Sequence, residues 1–469
     1  MRRKSLIPSV IALLLGYVIA LPGLAVARPA PAPPTLRVRA ALQVRNKTGT
    51  SVKDRARRQP QPAARISRAD DAFLEDLTHR AFLYFWEQTN PQTGLTLDRA
   101  PTNGISHAPP HPSAGIASLG ATGFGLTSLC IAADKHWIRP AEARARARHA
   151  LRFMAEHAPQ EHGWFYHWME QTTGERRWQS ELSSIDTALF LGGALTLRQC
   201  FADDAEIVRL ATLIYSRVDF AWMLNGHPTL LAHGWTPEKG FLASRWDTYS
   251  EGLLLYLLAL GASPDKTIPE QSWSAWRRDW VDYGGFRYLA GDAPLFIHQY
   301  PQAWFDLRHR REQSGGVNYY TNSVRATRAH RRFCIDLAPE FPAYNANIWG
   351  LTASDSAQGY VAWGGPPRHP AIDGTVVPCA AAGSLMFTPD ISLPALRAMK
   401  RQFGAQIYGR YGFTDAFNPR TKWLGPDVIG IDAGITLLSA ENLRTGKIWY
   451  WFMQNPAMQR ALRRAGLHY

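Results

Sequence analysis

The stretch "WDTYSEGLLLYLLALG", residues 246–261, decides the fold class. Its second half carries almost no polar side chain, and a helix without a polar stripe has to be surrounded by protein on every side. Two carboxylates, Asp247 and Glu251, stand directly before this apolar run. The stretch therefore predicts a buried helix whose first turn carries charged groups.

Two kinds of helical segment alternate from residue 70 onward. Segments that are apolar nearly all round lie at 123–134, 186–201, 252–261 and 430–442, and charged amphipathic segments lie at 140–158, 323–336 and 393–404. Because an amphipathic helix can face water on one side, the alternation predicts an inner ring of helices wrapped by an outer ring. We predict an all-α fold, an (α/α)6 barrel made of six helical hairpins with aromatic loops and minor β-hairpins. A simple bundle or an α-solenoid is the alternative, although no clean short repeat is found.

The N-terminus has the pattern of an export signal. A basic start precedes an apolar run at 6–21, and "AVA" at 25–27 fits a cleavage site. We therefore predict a signal peptide over 1–27 and a periplasmic or secreted protein that makes no stable membrane insertion after cleavage. An uncleaved anchor is the alternative.

The formal net charge of +14 lies almost entirely in the first 68 residues. Residues 28–68 hold eleven Lys or Arg and one acid, Asp54, with many prolines and no aromatics. This composition is typical of a disordered linker. The remaining body, 69–469, is nearly neutral, which argues against a nucleic-acid partner because such a groove is basic. We expect one catalytic domain there, and a monomer.

The four cysteines, Cys130, Cys200, Cys334 and Cys379, are far apart and form no CxxC motif. Metal-binding spacing is absent, as are the HExxH, P-loop, dinucleotide and GxSxG motifs, so we expect no metal and no cofactor. Export permits disulfides, but Cys130 and Cys200 lie in apolar helical segments. We predict that these two are buried thiols.

Three acids, Asp186, Glu251 and Asp355, each follow a Ser or Thr by three residues. This is the pattern of a helix capping box, and a cap contributes about 0.5–2 kcal/mol to stability. Capping alone explains most such matches. Asp432 in "GIDAG" has no Ser or Thr three residues earlier, so capping explains it less well. Asp415 lies in an aromatic loop and could bind sugar hydroxyls.

Aromatic residues crowd the same stretches, among them Trp246, Tyr249 and Trp349. Carboxylates and aromatic faces in a concave, uncharged site fit a neutral sugar polymer, because paired carboxylates perform the acid/base steps of glycoside cleavage. The loop 295–311 adds further binding candidates: His298, Gln299, Trp304, Asp306 and Arg308.

Several blocks, in order over residues 70–469, resemble the bacterial glucoamylase-like family (glycoside hydrolase family 144), which includes endo-β-1,2-glucanases. They include "ELSSIDTALFLGGAL", "WDTYSEGLLLYLLALG", "NIWGLTASD", "YGRYGFTDAFNP" and "IGIDAGITLLSAEN". The resemblance implies an (α/α)6 barrel. It also implies metal-independent, inverting hydrolysis of a neutral β-glucan, with β-1,2-glucan as the first choice of substrate.

The resemblance also implies roles for individual residues. Glu251 is expected to be the general acid and Asp432 the opposing base, with Asp186 competing for the second role. The subsite residues that the resemblance implies are Glu181, Asp186, Tyr249, Trp304, Asp355 and Asp415. The aromatic and loop candidates complete the expected substrate-binding set: Trp246, His298, Gln299, Asp306, Arg308 and Trp349. Ala433 and Ile435 stand where the family more often has Gln and Pro, which could alter nearby subsites.

Glu251 has to be protonated near neutral pH to act as an acid. The helix N-terminus lowers the pKa of a carboxyl, whereas burial and nearby like charges raise it. We predict that burial and like charge dominate at Glu251.

Two other functions compete with glycoside hydrolysis. A polysaccharide lyase acting on uronates would need a Tyr or His base and a neutralising Arg, which His298, Tyr300 and Arg308 could supply. The nearly neutral body argues against it. The third reading is a glycan-binding protein without catalytic activity.

Overall fold

The computed structural model describes residues 60–366 and 372–469, so the predicted signal peptide and most of the predicted linker lie outside the described residues. The helices of the described part are α1 (Arg68–Glu87), α2 (Leu119–Asp134), α3 (Pro140–Glu156), α4 (Ser184–Cys200), α5 (Ala205–Arg217), α6 (Gly252–Gly261), α7 (Ser272–Ala275), α8 (Phe296–Trp304), α9 (Tyr319–Asp336), α10 (Pro378–Ala382), α11 (Pro389–Phe403), α12 (Gly430–Arg444), α13 (Lys447–Met453) and α14 (Pro456–Arg464). Short 3-10 turns lie at Trp222–Leu224 and Gly404–Gln406.

The strands are short. They are β1 (Arg99–Pro101), β2 (Ile116–Ser118), β3 (Gln160–Glu161), β4 (Trp164–Phe165), β5 (Trp168–Glu170), β6 (Leu182–Ser183), β7 (Gly234–Thr236), β8 (Gly240–Phe241), β9 (Trp280–Tyr283), β10 (Phe286–Leu289), β11 (Arg311–Glu312), β12 (Ala353–Ser356), β13 (Gly359–Ala362), β14 (Tyr408–Gly409), β15 (Gly412–Phe413), β16 (Phe417–Asn418), β17 (Trp423–Leu424), β18 (Asp427–Ile429) and β19 (Leu467–His468). Apart from the three-stranded sheet β6–β7–β8, these described strands pair in twos.

Some of these strands fix the starts of helices. Strand β2 leads directly into α2, β6 into α4 and β18 into α12. Strand β2 pairs with β5, and β18 pairs with β1 in the register Ile429↔Arg99. The small sheets therefore hold side chains from distant parts of the chain beside the N-termini of these three helices.

The predicted division into buried and amphipathic helices is confirmed, and the fold is mostly helical. All ten residues of α6 are buried, and α2, α4 and α12 are buried along nearly their whole length. Helices α3, α5 and α11 each bury one face only. Charged side chains are thus confined to the outer helices and to the ends of α2, α4 and α12.

Helices α2 and α4 approach each other closely through glycine. A Cβ added to Gly193 would lie 2.1 Å from the carbonyl oxygen of Gly123, so a larger residue would force the two backbones apart. The same packing joins Cys130 of α2 to Cys200 of α4 in a disulfide, with the Cα atoms 6.1 Å apart. The prediction that these two cysteines are thiols is wrong, because it considered each helix without its neighbour. Cys334 and Cys379 are buried and free.

The folded body includes residues ahead of α1. The Ala63 N–H donates to the carbonyls of Asn442 and Leu443, at 3.2 and 3.1 Å, at the C-terminal end of α12. The described end of the predicted linker is therefore packed against a helix. In the part of the chain that the structure covers, no helix combines the length and the apolar character that crossing a membrane requires.

The disulfide predicts a defined thiol count. Alkylation of the unfolded, unreduced protein should modify two of the four cysteines, Cys334 and Cys379, and prior reduction should raise the number to four. Because the bridged cysteines are 70 residues apart, closing this loop should stabilise the fold by about 4 kcal/mol. Mass spectrometry measures the number of alkylated cysteines. Denaturation of the C130A/C200A variant, compared with the wild type, measures the stabilisation. Four modified cysteines without reduction would contradict the assignment.

Candidate active site

Glu251 stands at the N-terminus of α6, directly before the buried run. Its carboxylate caps no N–H group; instead, the Ser250 hydroxyl accepts from the Gly252 N–H at 3.2 Å. Capping therefore does not explain this acid. Burial, with the like charges of Asp292 and Asp186, raises the pKa of Glu251 to about 8. The prediction that burial and like charge dominate at Glu251 is confirmed.

Asp432 lies in the first turn of α12, and only 7% of its surface is exposed. Its Oδ2 is enclosed and has no hydrogen-bond partner among the described residues. Burial raises the pKa of Asp432 to about 6, while hydrogen bonds from Asp415 and the Cys379 thiol oppose that rise. At neutral pH Asp432 is therefore mostly a carboxylate with one oxygen that no donor occupies.

Asp415 lies against Asp432 and is only 2% exposed. Its Oδ2 accepts from the Asp355 N–H at 2.7 Å. Burial and then the charge of Asp432 raise the pKa of Asp415 well above its ordinary value. Since two adjacent buried carboxyls cannot readily ionise together, Asp415 keeps its proton and donates a hydrogen bond to Asp432.

Asp186, in the first turn of α4, belongs to a different group. His167 lies between two acids, with Nδ1 3.0 Å from Glu181 Oε1 and Nε2 3.5 Å from Asp186 Oδ2. Burial lowers the pKa of His167, but Asp186 and Glu181 raise it more, to about 9. The three side chains offer ligand atoms within 4.8 Å of one another and could hold a metal ion. The imidazolium ion, however, already supplies a positive charge there at neutral pH.

The predicted capping pattern is formed at only one of the three positions. The Ser183 hydroxyl accepts from the Asp186 N–H at 3.2 Å, so this part of the cap exists at the start of α4. Asp355 lies in strand β12, so the helix start that its pattern suggests is wrong. The Asp355 carboxylate pairs instead with Arg99.

Arg99 is a site residue that the sequence does not reveal. Its Nη1 lies 2.7 Å from Asp355 Oδ2 and its Nε 2.9 Å from Asp98 Oδ2. Burial would lower the pKa of Arg99, but the two acids raise it, so the guanidinium stays charged. Its partner Asp355 is 256 residues away in the chain, and no local pattern can predict such a pair.

Tyr300 lies in α8 and is also buried. Its pKa is raised well above the ordinary value first by burial and then by negative charges that include those of Asp432 and Glu251. Glu251 and Asp432 therefore both lie near this one buried tyrosine. The sequence suggested Tyr300 only for a lyase, because the fold rather than the local pattern brings it between the two acids.

The acids of this cleft differ in whether a cation accompanies them. Arg99 pairs with Asp98 and Asp355, and His167 pairs with Glu181 and Asp186. Within the described ranges, no ion pair is found for Glu251, Asp415 or Asp432. Burial raises the pKa values of these three with no paired cation to oppose it. Burial also raises the pKa of Asp186, where the charge of His167 opposes the rise.

Three of the predicted aromatic and polar residues pack behind the start of α6. Trp246 donates from Nε1 to the Ser184 hydroxyl at 2.9 Å. The Tyr249 hydroxyl lies 3.1 Å from Nδ1 of His298. Burial lowers the pKa of His298 to about 3, so this imidazole is neutral. These contacts hold the start of α6 in place from the protein side.

Gln299, Trp304 and Trp349 are fully buried and do not join the acids. Gln299 donates to the Ala380 carbonyl at 2.9 Å, and Trp304 donates to the Thr127 hydroxyl at 3.1 Å. These contacts are typical of core residues. The stretch 295–311 was expected to be a loop with binding residues, but most of it forms helix α8.

Asp306 and Arg308 lie beyond the C-terminal end of α8 and pair with each other at 2.8 Å. Arg308 also donates to the carbonyls of Gln61 and Pro62, next to the segment that packs on Asn442. Ten helical residues separate Asn442 from Asp432, which is about 15 Å along the α12 axis. The structure does not bring this pair to the acids.

Comparisons with known proteins agree with this arrangement. Residues 243–456 match the sequence model of a family described as putative glucoamylase. An exo β-1,2-glucooligosaccharide sophorohydrolase of Parabacteroides distasonis is 26% identical over 432 residues, which cover 84% of this chain. The alignment spans only 58% of the length of that curated relative.

Two solved structures share the fold over most of this chain. An endo-β-1,2-glucanase from Chitinophaga pinensis, in complex with sophorotriose and glucose, superposes with a TM-score of 0.79 at 25% identity, covering 86% of this chain and 99% of its own. A putative glucoamylase from Bacteroides caccae gives 0.77 at 27% identity, with coverage of 85% and 99%. The range matched by the family model contains both Glu251 and Asp432. Over residues 243–456, the chain is therefore similar to the family described as putative glucoamylase.

Proposed function

We propose that this chain is a glycoside hydrolase that cleaves β-1,2-linked glucan, with Glu251 as general acid and Asp432 as general base. The observation that carries the proposal is a pair of carboxyls at one cleft with separated pKa values, about 8 for Glu251 and about 6 for Asp432. Two titratable groups whose environments push their pKa values apart are the usual basis for dividing acid and base roles.

The proposed reaction transfers one proton on each side of the cleft. Glu251 donates its proton to the glycosidic oxygen as the bond from that oxygen to the anomeric carbon breaks. Asp432 accepts a proton from the water whose oxygen bonds to the anomeric carbon, and the configuration there is inverted. Asp415 keeps its own proton and donates a hydrogen bond to Asp432, which helps keep the base ionised.

The β-1,2 linkage rests on the relatives. The sophorohydrolase and the Chitinophaga pinensis endo-β-1,2-glucanase are both named for this linkage. The near-neutral body and the ion-paired state of Arg99 suit an uncharged glycan, because neither leaves an uncompensated cation for an acidic one. A neutral β-1,2-glucan is thus the substrate to test first.

The architecture that we propose is an (α/α)6 barrel. Six helices of the described part are buried nearly throughout: α2, α4, α6, α8, α10 and α12. They alternate in sequence with more exposed helices, which is the order expected for inner and outer rings. Their N-termini would then surround the cleft.

Export is also proposed. The disulfide between Cys130 and Cys200 is typical of proteins in oxidising compartments and supports a periplasmic or secreted location.

The lyase alternative is less favourable. His298 is neutral and its Nδ1 is engaged by Tyr249, and Arg308 lies beside residues that pack on the far end of α12. Among the residues that the structure describes, no unpaired cation is therefore found beside Tyr300 to neutralise a uronate, because Arg99 is already paired. A glycan-binding protein without activity would release no new reducing ends.

The first prediction concerns the acid. Glu251→Gln removes the transferable proton with little change of shape, so kcat on linear β-1,2-glucan should fall at least about a hundredfold. Mass spectrometry of the released products measures kcat, with β-1,3-glucan, starch and alginate as comparison substrates. The exposed acid Asp282 offers a control, and Asp282→Asn should keep full activity. Wild-type turnover by the Glu251 variant would contradict the assignment.

The second prediction separates the two candidate bases. Asp432→Asn should lower kcat at least about a hundredfold. Asp186→Asn should mainly raise KM, because His167 already holds the Asp186 carboxylate in an ion pair. Proton NMR of the first-formed product tests inversion in the same reactions. A larger loss of kcat in the Asp186 variant than in the Asp432 variant would identify Asp186 as the base.

The third prediction is the pH profile of kcat/KM. Activity requires Asp432 ionised, so the rate should fall as pH drops through about 6. It also requires Glu251 protonated, so the rate should fall as pH rises through about 8. A bell-shaped pH profile of kcat/KM is therefore expected, and its two inflections report the pKa values of the free enzyme. A plateau that extends past pH 9 would be incompatible with Glu251 as the acid at this pKa.

A further inference from the structure

Two consecutive residues near the cleft have a backbone conformation that side chains disfavour. Trp178 and Gln179 have φ values of 54° and 53°, and neither is glycine. The left-handed conformation costs about 1–2 kcal/mol per residue, and such residues cluster at binding sites where the surrounding structure holds them. Something must therefore hold this segment.

Arg176 is the side chain that holds it. Its guanidinium donates to the backbone carbonyls of Gln179 and Ser180, directly after the strained residues. Its two terminal nitrogens also bind both oxygens of Glu238, at 2.6 and 3.0 Å. The guanidinium lies over the ring of Tyr166, 5.0 Å from its centre. One partly buried arginine thus fixes the loop, through hydrogen bonds that do not involve the Trp178 side chain.

The strained segment places Trp178 against Trp168. The two rings meet edge to face, with their centres 5.6 Å apart. Trp168 in turn stacks on His167 at 4.0 Å, and His167 bonds to Glu181 and Asp186. An aromatic surface therefore continues from the acidic cleft to its rim.

This pair differs from the tryptophans that only fill the core. Trp164, on the neighbouring strand β4, is fully buried and donates to the Asp219 carbonyl at 2.9 Å. Trp168 and Trp178 are both partly exposed. Packing alone gives no reason to keep Trp178 in a costly conformation where water can reach it.

We propose that Trp168 and Trp178 form a sugar-binding subsite for a glucosyl ring of the substrate, outside the pair of rings at the cleaved bond. This inference rests on the proposed function and adds a site to it. The occupant is a neutral pyranose ring, whose apolar face of C–H groups packs on an aromatic surface. It is not an anion, because Glu181, Asp186 and Glu238 border the surface. The strained loop sets Trp178 in place before the sugar arrives, which lowers the entropic cost of binding.

The test compares Trp178→Ala with the wild type on linear β-1,2-glucooligosaccharides of increasing length. For chains long enough to reach the subsite, KM should rise about tenfold and kcat should change less than about twofold, the effect expected for one aromatic contact. The shortest chains that are cleaved should show no change. Trp451→Ala is the matched control, since Trp451 is also partly exposed but lies on α13, which follows the C-terminal end of α12.

A second measurement does not depend on turnover. In the Glu251→Gln background, calorimetric titration with a long oligosaccharide should give a Kd about tenfold weaker for Trp178→Ala, with Trp178→Phe in between. The phenylalanine variant preserves an aromatic side chain and serves if the alanine variant does not fold. If folded variants keep the wild-type KM and Kd at every chain length, the subsite proposal is wrong, whereas the proposed hydrolase function is unaffected. If the wild type neither cleaves nor binds β-1,2-glucan, the proposed function fails and the subsite fails with it.

Discussion

The structure depends on carboxyl groups placed at the starts of helices that have no wet face. The first turns of α4, α6 and α12 carry or directly follow Asp186, Glu251 and Asp432, and the helices behind them are buried. A helix N-terminus favours the charged carboxylate, whereas burial favours the neutral acid. At Glu251 burial dominates by a wide margin, so this group keeps a proton at neutral pH.

Selective compensation of charge gives these acids different properties. Arg99 and His167 each pair with two carboxylates, whereas Glu251 and the pair Asp415–Asp432 have no cation as partner among the described residues. In that pair one proton is shared, so a single negative charge remains near Tyr300. A cleft with one protonated acid and one ionised acid is what hydrolysis of a neutral glycoside requires.

The sequence could predict the parts of the site that depend on one helix at a time. An apolar run with an acid in its first turn identifies Glu251, Asp432 and Asp186 without any neighbour. Contacts between distant segments leave no such pattern, which is why Arg99, the Cys379 thiol and the Cys130–Cys200 disulfide were missed or wrongly assigned. Gln299 and Trp304 look like binding residues because they are polar or aromatic, yet their side-chain nitrogens donate to backbone and hydroxyl partners inside the core.

The central claim is that the cleft keeps Glu251 protonated at neutral pH without any substrate. Infrared difference spectroscopy of the wild type against the Glu251→Gln variant measures this directly, because the carbonyl stretch of the protonated acid disappears when the group ionises. A midpoint near the raised pKa of about 8 is the expected result. A midpoint near the ordinary value of 4.5 for a glutamic acid would contradict the account.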